Sequence, residues 1–426
     1  MLRISISSSI KKYCCKSIQY ALFVLLMLSG TIENATATDK QEYISFYLSA
    51  DFIGTRAAGV SIEQGIRTAL SEVNNQVAGI PVRVQILDHR GNTRRAKVHL
   101  NQYLNDSFAL VLFGGLHSPP LLAARDYINQ YEILVLSAWA AAAPITRYPS
   151  KKNWIFRLSI DDSKAGYVIT KHAVNHGKSK RPALLLENTG WGKSNHKTMK
   201  KALQEQGVVL SDVRWFNWGL TETSARILIR NIRQNGADSI FLVANAPEGK
   251  VIAQAMYSLP IQERLPIYSH WGITGGDFSQ VVNASMRKGL SIDFIQTSFS
   301  FMNPLNSLGQ SVLKQAQSLF PESIHKPIDI KAPTGFIHAY DLTKIIITAI
   351  KQIAWKKDIK SDRRALRDAL EQLGTPVEGL IKTYRQPFST YESNNPDAHE
   401  ALSIDDFTMA RYGENNEIVL YPLTEP

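Results

Sequence analysis

Residues 44–88, ISFYLSADFIGTRAAGVSIEQGIRTALSEVNNQVAGIPVRVQILD, hold two short apolar runs with one amphipathic segment between them. The runs are Ile44 to Leu48 and Val82 to Leu87, short enough to be strands of a sheet covered on both faces. Between them Ile62, Ile66, Ala69, Leu70 and Val73 recur at i, i+4, i+7, i+8 and i+11, which is one stripe of a helix. A strand, a helix and a second strand in this order predict a parallel pair joined by a crossover. The alternation continues outward. Further runs are Leu110 to Phe113, Ile133 to Leu136, Ala183 to Leu186, Ile240 to Val243 and Ile267-Tyr268. Val251, Ile252, Ala255, Met256 and Leu259 repeat the helical stripe. The expected class is therefore α/β, with parallel, doubly wound sheets.

The strand–helix units pause after Leu136 in an irregular stretch, Ala138 to Asn153, and a second series starts near Trp154. A chain of 426 residues also exceeds what one hydrophobic core usually covers, so two lobes are predicted. Two late helices, Leu305 to Phe320 and Phe336 to Ile353, follow the second series and need a sheet to pack on. The chain is thus expected to cross back near Gln296 and to return near Leu380. That places residues 38–157 and 296–379 in lobe 1, and residues 158–295 and 380–426 in lobe 2.

The first 37 residues read as a secretory leader. Arg3, Lys11, Lys12 and Lys16 precede the apolar run Ala21 to Leu28, which is far shorter than the roughly 20 residues of a membrane span. Ala35-Thr36-Ala37 supplies the small residues at a cleavage site, so the mature, periplasmic chain is expected to start near Thr38. Cys14 and Cys15, the only cysteines, lie ahead of the apolar run. The expected mature protein therefore has no disulfide, no cysteine-bound metal and no thiol nucleophile. Removing four basic residues and Glu33 takes the net charge from +11 to +8. The basic residues are dispersed and no nucleic-acid motif accompanies them.

In open α/β sheets ligands bind outside the carboxyl ends of the strands, so the residues that follow each run carry the functional information. Leu116, His117 and Ser118 follow Phe113; Trp139, Ala140 and Ala141 follow Leu136. In the second series Glu187 and Trp191 follow Leu186, Asn245 follows Val243 and Trp271 follows Tyr268. Three of seven tryptophans thus fall at equivalent places, which favours a shared cleft over three unrelated packing positions. Burying one indole is worth about 5 kcal/mol gross, so two supply most of the roughly 8 kcal/mol of a micromolar complex before association costs.

The chain resembles the type I periplasmic binding proteins, the leucine/isoleucine/valine-binding receptors of ABC transporters. The resemblance rests on Gly65 to Ala69 (GIRTA), Val73 to Asn75 before Gly79 to Val82, Asp88, and the Gly114 to Ser118 loop. Ser137 with Thr146, Asn245 to Glu248 (NAPE) and Gly289-Leu290 extend it. It implies two doubly wound lobes joined by a three-strand hinge. It also implies that Ser118 donates its hydroxyl and backbone N–H to a ligand carboxylate; His117, beside it in the sequence, reads either as a hydrogen-bonded wall residue or as a second donor to an anionic ligand. Several positions depart from the family pattern. Its hydroxyl-bearing threonine corresponds to Ala141, its second-lobe tyrosine to Trp191, another aromatic to Asn245, and the acid that pairs with a ligand ammonium to Trp271. An ordinary amino acid is therefore a poor fit, unless Glu187 or Glu248 substitutes for that acid.

Enzymatic readings find little support. Gly192-Lys193-Ser194 has the end of a phosphate-binding loop, but Glu187 stands where its first glycine belongs. His172 and His176 have metal-ligand spacing, yet Lys171 and Lys178 beside them point to a solvated face. The expected ligand site is thus Leu116, His117, Ser118, Trp139, Ala140, Ala141, Trp191, Asn245 and Trp271, with no catalytic group, cofactor or metal. The expected protein is a monomeric receptor that presents its ligand to an ABC permease or, alternatively, to a membrane histidine kinase or cyclase. No nucleic-acid partner is expected.

Overall fold

The structure is a computed structural model and describes residues 43–422; the predicted leader and both cysteines lie outside the described residues. The first sheet comprises β1 (Ile44–Ala50), β2 (Gln76–Val77), β3 (Ile80–Asp88), β4 (Ala109–Gly114), β5 (Val135–Ser137) and β6 (Ile155–Arg157). Their order is β2-β3-β1-β4-β5-β6. Phe46 stands opposite Val84 on one side and Val111 on the other, in parallel register. Only the β2–β3 edge hairpin is antiparallel. It turns on Ala78 and Gly79, both at positive φ (52° and 79°).

Helices α1 (Arg56–Ser71), α2 (Thr93–Asn105) and α3 (Ser118–Gln130) connect these strands. The stripe read on α1 is its inner face: Ile62, Ile66, Ala69 and Leu70 are at most 1 % exposed.

The second sheet takes β7 (Pro182–Glu187), β8 (Asp212–Phe216), β9 (Ser239–Val243), β10 (Ile267–Ser269) and β11 (Ile292–Thr297) in parallel. Its helices are α4 (Asp162–Asn175), α5 (Gly190–Glu205), α6 (Glu222–Gln234) and α7 (Ala246–Tyr257). The late helices are α8 (Ser307–Leu319) and α9 (Pro333–Gln352), followed by α10 (Ile359–Glu371). Both late helices lie against α1, in the first lobe. Gly65 is required there, because a Cβ at that position would sit 2.3 Å from the Phe336 carbonyl oxygen of α9.

A small hairpin, β12 (Val377–Glu378) and β13 (Thr383–Tyr384), is pinned to α9 by Asp341. That carboxylate accepts from Leu380 N (2.6 Å), Ile381 N (3.1 Å) and the Tyr384 hydroxyl (2.7 Å). Next, His399 stacks on Phe156 of β6 at 3.8 Å. Ala401 N–H donates to Arg157 O at 2.9 Å. The chain therefore keeps to first-lobe elements as far as Ala401, some twenty residues past the expected return near Leu380, and only then enters β14 (Phe407–Tyr412). β14 and β15 (Ile418–Leu420) extend the second sheet antiparallel to β11. These strands arrive from a connection with no crossover helix, so nothing imposes the parallel direction read for the others.

The chain passes between lobes after β6, after β11 and before β14. His172 is not on a solvated face: its Nε2 lies 2.8 Å from Asp293 Oδ2, because α4 packs across β11 and β14.

Candidate ligand-binding cleft

Ser118 opens α3 and is followed by Pro119 and Pro120. Prolines carry no N–H, so two of the donors a helix start normally offers are missing and the Ser118 N–H is left as the first. The Ser118 hydroxyl accepts from Ala142 N at 3.1 Å, which leaves its own hydrogen available to donate. Beside it, Leu116 and His117 line one small space with Trp139 and Ala141 of the β5 loop. From the second lobe Glu187, Trp191, Asn245 and Trp271 close the same space. Its volume is about 10 Å³, room for a single water. Eight of the nine residues expected at the site thus converge. The ninth, Ala140, stands behind the wall, where its carbonyl accepts from Arg157 Nη1 at 3.1 Å.

The indoles are held by buried polar groups. Trp191 Nε1 donates to Asp162 Oδ1 at 3.2 Å, and Asn195 Nδ2 donates to the same oxygen at 2.7 Å. His270 Nε2 lies 3.4 Å from it, while His270 Nδ1 accepts from Trp271 N at 3.0 Å. Complete burial raises the Asp162 pKa, and the His270 contact only partly counters it. Trp271 crosses Trp139 edge-on at 6.2 Å, an interlobe contact, and packs against His338 at 5.3 Å.

Two wall atoms have no hydrogen-bond partner among the described residues: Trp139 Nε1 and His117 Nδ1. His117 Nε2 faces Asp51 Oδ2 at 3.1 Å. Burial alone would raise the Asp51 pKa, but His117 and the Ile53 and Gly54 N–H groups outweigh it and hold the carboxyl ionised, well below the usual range.

Glu187, weighed as a stand-in for the missing acid, is fully buried at the cavity wall. It accepts from Thr189 Oγ1 and Asn245 Nδ2, both at 3.0 Å. Glu248 accepts from Gly219 N at 2.9 Å and does not line the space. Trp218 was not read from the sequence. It follows β8, whose run (DVRWF) is too short and too charged to announce a strand, and it reaches the first lobe, where its ring lies 5.4 Å from His117.

A second group missed in the sequence is the ionic cluster beside the hinge. Arg157 is wholly buried. It donates to Glu400 Oε1 and Oε2 at 2.6 and 2.8 Å and to the carbonyls of Ala140 and Ala142 at 3.1 and 3.0 Å. Thr146 donates to the same Glu400 carboxylate. The pair therefore ties two interlobe segments to the Trp139 loop.

His338 is fully buried beneath Trp271, with Nδ1 3.1 Å from Ala138 O and Nε2 2.8 Å from Thr297 Oγ1. Burial pushes its pKa down from 6.5 to about 3. The unfolded chain takes up a proton that the folded chain refuses, so this contribution is fully present above pH 6.5 and is lost as pH falls toward 3. His338→Gln is expected to flatten the fall in stability between pH 6.5 and 4 by about 1.4 kcal/mol per pH unit. Urea titrations of both proteins across that range check it; identical slopes would refute it.

Residues 53–399 match the periplasmic binding protein family. The Leu/Ile/Val-binding protein BraC3 of Rhizobium johnstonii is 24 % identical over 221 residues, covering 51 % of this chain and 58 % of that protein. The chain thus aligns with less than two thirds of that relative's length. Among solved structures, a type 1 periplasmic binding protein from Bordetella pertussis superposes with a TM-score of 0.75 at 16 % identity, over 90 % of this chain and all of that one. An ABC transporter solute-binding protein from R. palustris, in complex with 4-hydroxybenzoate, gives 0.72 at 16 % identity, over 89 % and 96 % of the two chains. At these identities the structural likeness carries the fold.

Proposed function

Because the chain belongs to the periplasmic binding protein family, we propose that it is the solute receptor of an ABC-type importer, capturing a small ligand between its lobes. The observation that carries this reading is the convergence of loops from both sheets on one enclosed space with unpartnered polar atoms in its wall. Buried polar atoms without partners are rare in folded proteins, and here Trp139, whose Nε1 is one of them, lines the same space as Ser118. Together they offer two donors to an acceptor end of the ligand. Trp191 and Trp271 face its flat or apolar body. A space of about 10 Å³ admits no such body, so the lobes must part for entry and close again on what they hold. Closure then presents a changed surface to a membrane permease. In this reading lobe 1 holds residues 44–157 and the segment from about 298 to 401, and the third crossing lies just before β14.

The test is a thermal-shift screen of aromatic acids, amides, amino acids and amines, followed by calorimetry of the hit on Ser118→Ala. A ligand at 100 times its Kd adds about 2.7 kcal/mol of stability. Ser118→Ala is expected to weaken the hit by about 1–3 kcal/mol without lowering Tm in its absence. Unchanged affinity removes Ser118 from the site.

A further inference from the structure

Outside the small space lies a second chamber of about 390 Å³, lined by Gly91, Asn92 and Thr93 of the first lobe and by Glu187, Asn217 and Trp218 of the second, among others. Glu187 belongs to both walls. The two spaces are thus the inner and outer parts of one cleft, with a single buried carboxylate between them.

The chemistry of the lining is one-sided. Among the described residues no Lys or Arg lines either space, although the chain as a whole carries 48 of them against 37 acids. Glu187 is the only acid in the lining; burial raises its pKa, the Trp218 hydrogen bond and His117 act against that rise, and Glu248 adds to it. The outer chamber adds Asn188, Thr189 and Asn217, with no cationic group among the lining residues to attract an anion. His117 Nδ1, on the inner wall, is unpartnered. Its Nε2 faces Asp51 Oδ2 at 3.1 Å. Trp218 is 43 % exposed and spans the mouth from Glu187 to His117. The Glu187 carboxylate shared by both spaces and the Trp218 indole of the outer chamber complement a positive charge, which an aromatic face attracts within about 6 Å of its centroid.

We propose that the outer chamber binds the cationic end of the ligand, an amine or quaternary ammonium, with Glu187 as its counter-charge and Trp218 as the ring over it. This rests on the solute-receptor reading above and adds the ligand's class: an organic cation whose body reaches inward to Ser118 and Trp139. The bound positive charge also repairs the cost of burying Glu187, because a buried carboxylate is stabilised most by a partner of opposite charge.

The experiment uses four one-ring probes of similar size: benzyltrimethylammonium, phenethylamine, benzyl alcohol and benzoate. Each is titrated at millimolar concentration by thermal shift and calorimetry into wild type, Glu187→Gln and Trp218→Leu. The two cations are expected to raise the wild-type Tm more than the alcohol, and benzoate least. Glu187→Gln should weaken both cations roughly tenfold or more and leave benzyl alcohol unchanged. Trp218→Leu, at a partly exposed position where folding is not at stake, should weaken the quaternary cation several-fold. Benzoate binding better than either cation, or cations binding equally to wild type and Glu187→Gln, overturns the cation subsite and leaves the receptor reading intact. No response to any probe in wild type counts against the cleft as a ligand site and takes the proposal with it.

Discussion

Glu400→Ala is expected to cost about 3–5 kcal/mol of folding stability, the range measured when one partner of a buried ion pair is removed. Arg157 has no exposed surface from which to recruit water, so its guanidinium would lose its directly bonded carboxylate and keep only the longer-range pull of Asp161 and Asp162. Its remaining bonds to the Ala140 and Ala142 carbonyls cannot neutralise it. The double variant Arg157→Met/Glu400→Leu should recover much of the loss, because replacing both charges by apolar groups removes the desolvation cost along with the attraction. Urea denaturation at neutral pH decides between the outcomes. A loss for Glu400→Ala below about 1 kcal/mol, the size typical of exposed pairs, would show that the cluster does not hold the hinge.

Trp271→Ala is expected to cost about 3–5 kcal/mol, as large-to-small changes at buried aromatics do. The indole is 1 % exposed and packs against Trp139, His338 and Phe407; His338 is fixed on α9, and the main chain of Trp271 is anchored through His270. The neighbours therefore cannot collapse fully into the gap. An apolar gap of this kind stays dry and accepts a ring. Free indole at millimolar concentration should accordingly raise the Tm of Trp271→Ala and leave wild type nearly unmoved. Equal shifts in both proteins would mean that no gap forms.

The fold was legible because parallel strands and their helices announce themselves locally. The α1 stripe and the runs at β1, β4, β7 and β9 each carry their own periodicity. The strand-end rule then located Ser118, Trp139, Trp191 and Trp271 at one space without any knowledge of pairing. What escaped depends on distant partners. Arg157 and Glu400 are 243 residues apart, and neither is unusual in its own neighbourhood. Asp162 reads as an ordinary first residue of a helix, and nothing local says that Trp191 will donate to it. Trp218 lay behind a strand diluted by Asp212 and Arg214. The hold on Leu380 was equally hidden, because the Asp341 carboxylate that its N–H meets lies 39 residues upstream.

If the space between the lobes is the ligand site proposed above, the indoles that fill it act on ligands as an internal competitor. Trp139 and Trp271 come from opposite lobes, so any body that enters must displace an intramolecular contact whose effective concentration is set by the hinge and not by the solution. Measured affinity is then the difference between two occupants of the same space, and it falls with the fraction of molecules in which the indoles already hold each other. Selectivity follows from the same subtraction. On the proposed reading, a solute that packs less well than an indole face would be rejected even where its polar end is satisfied, and a flat, well-matched body would outbid the protein's own side chains.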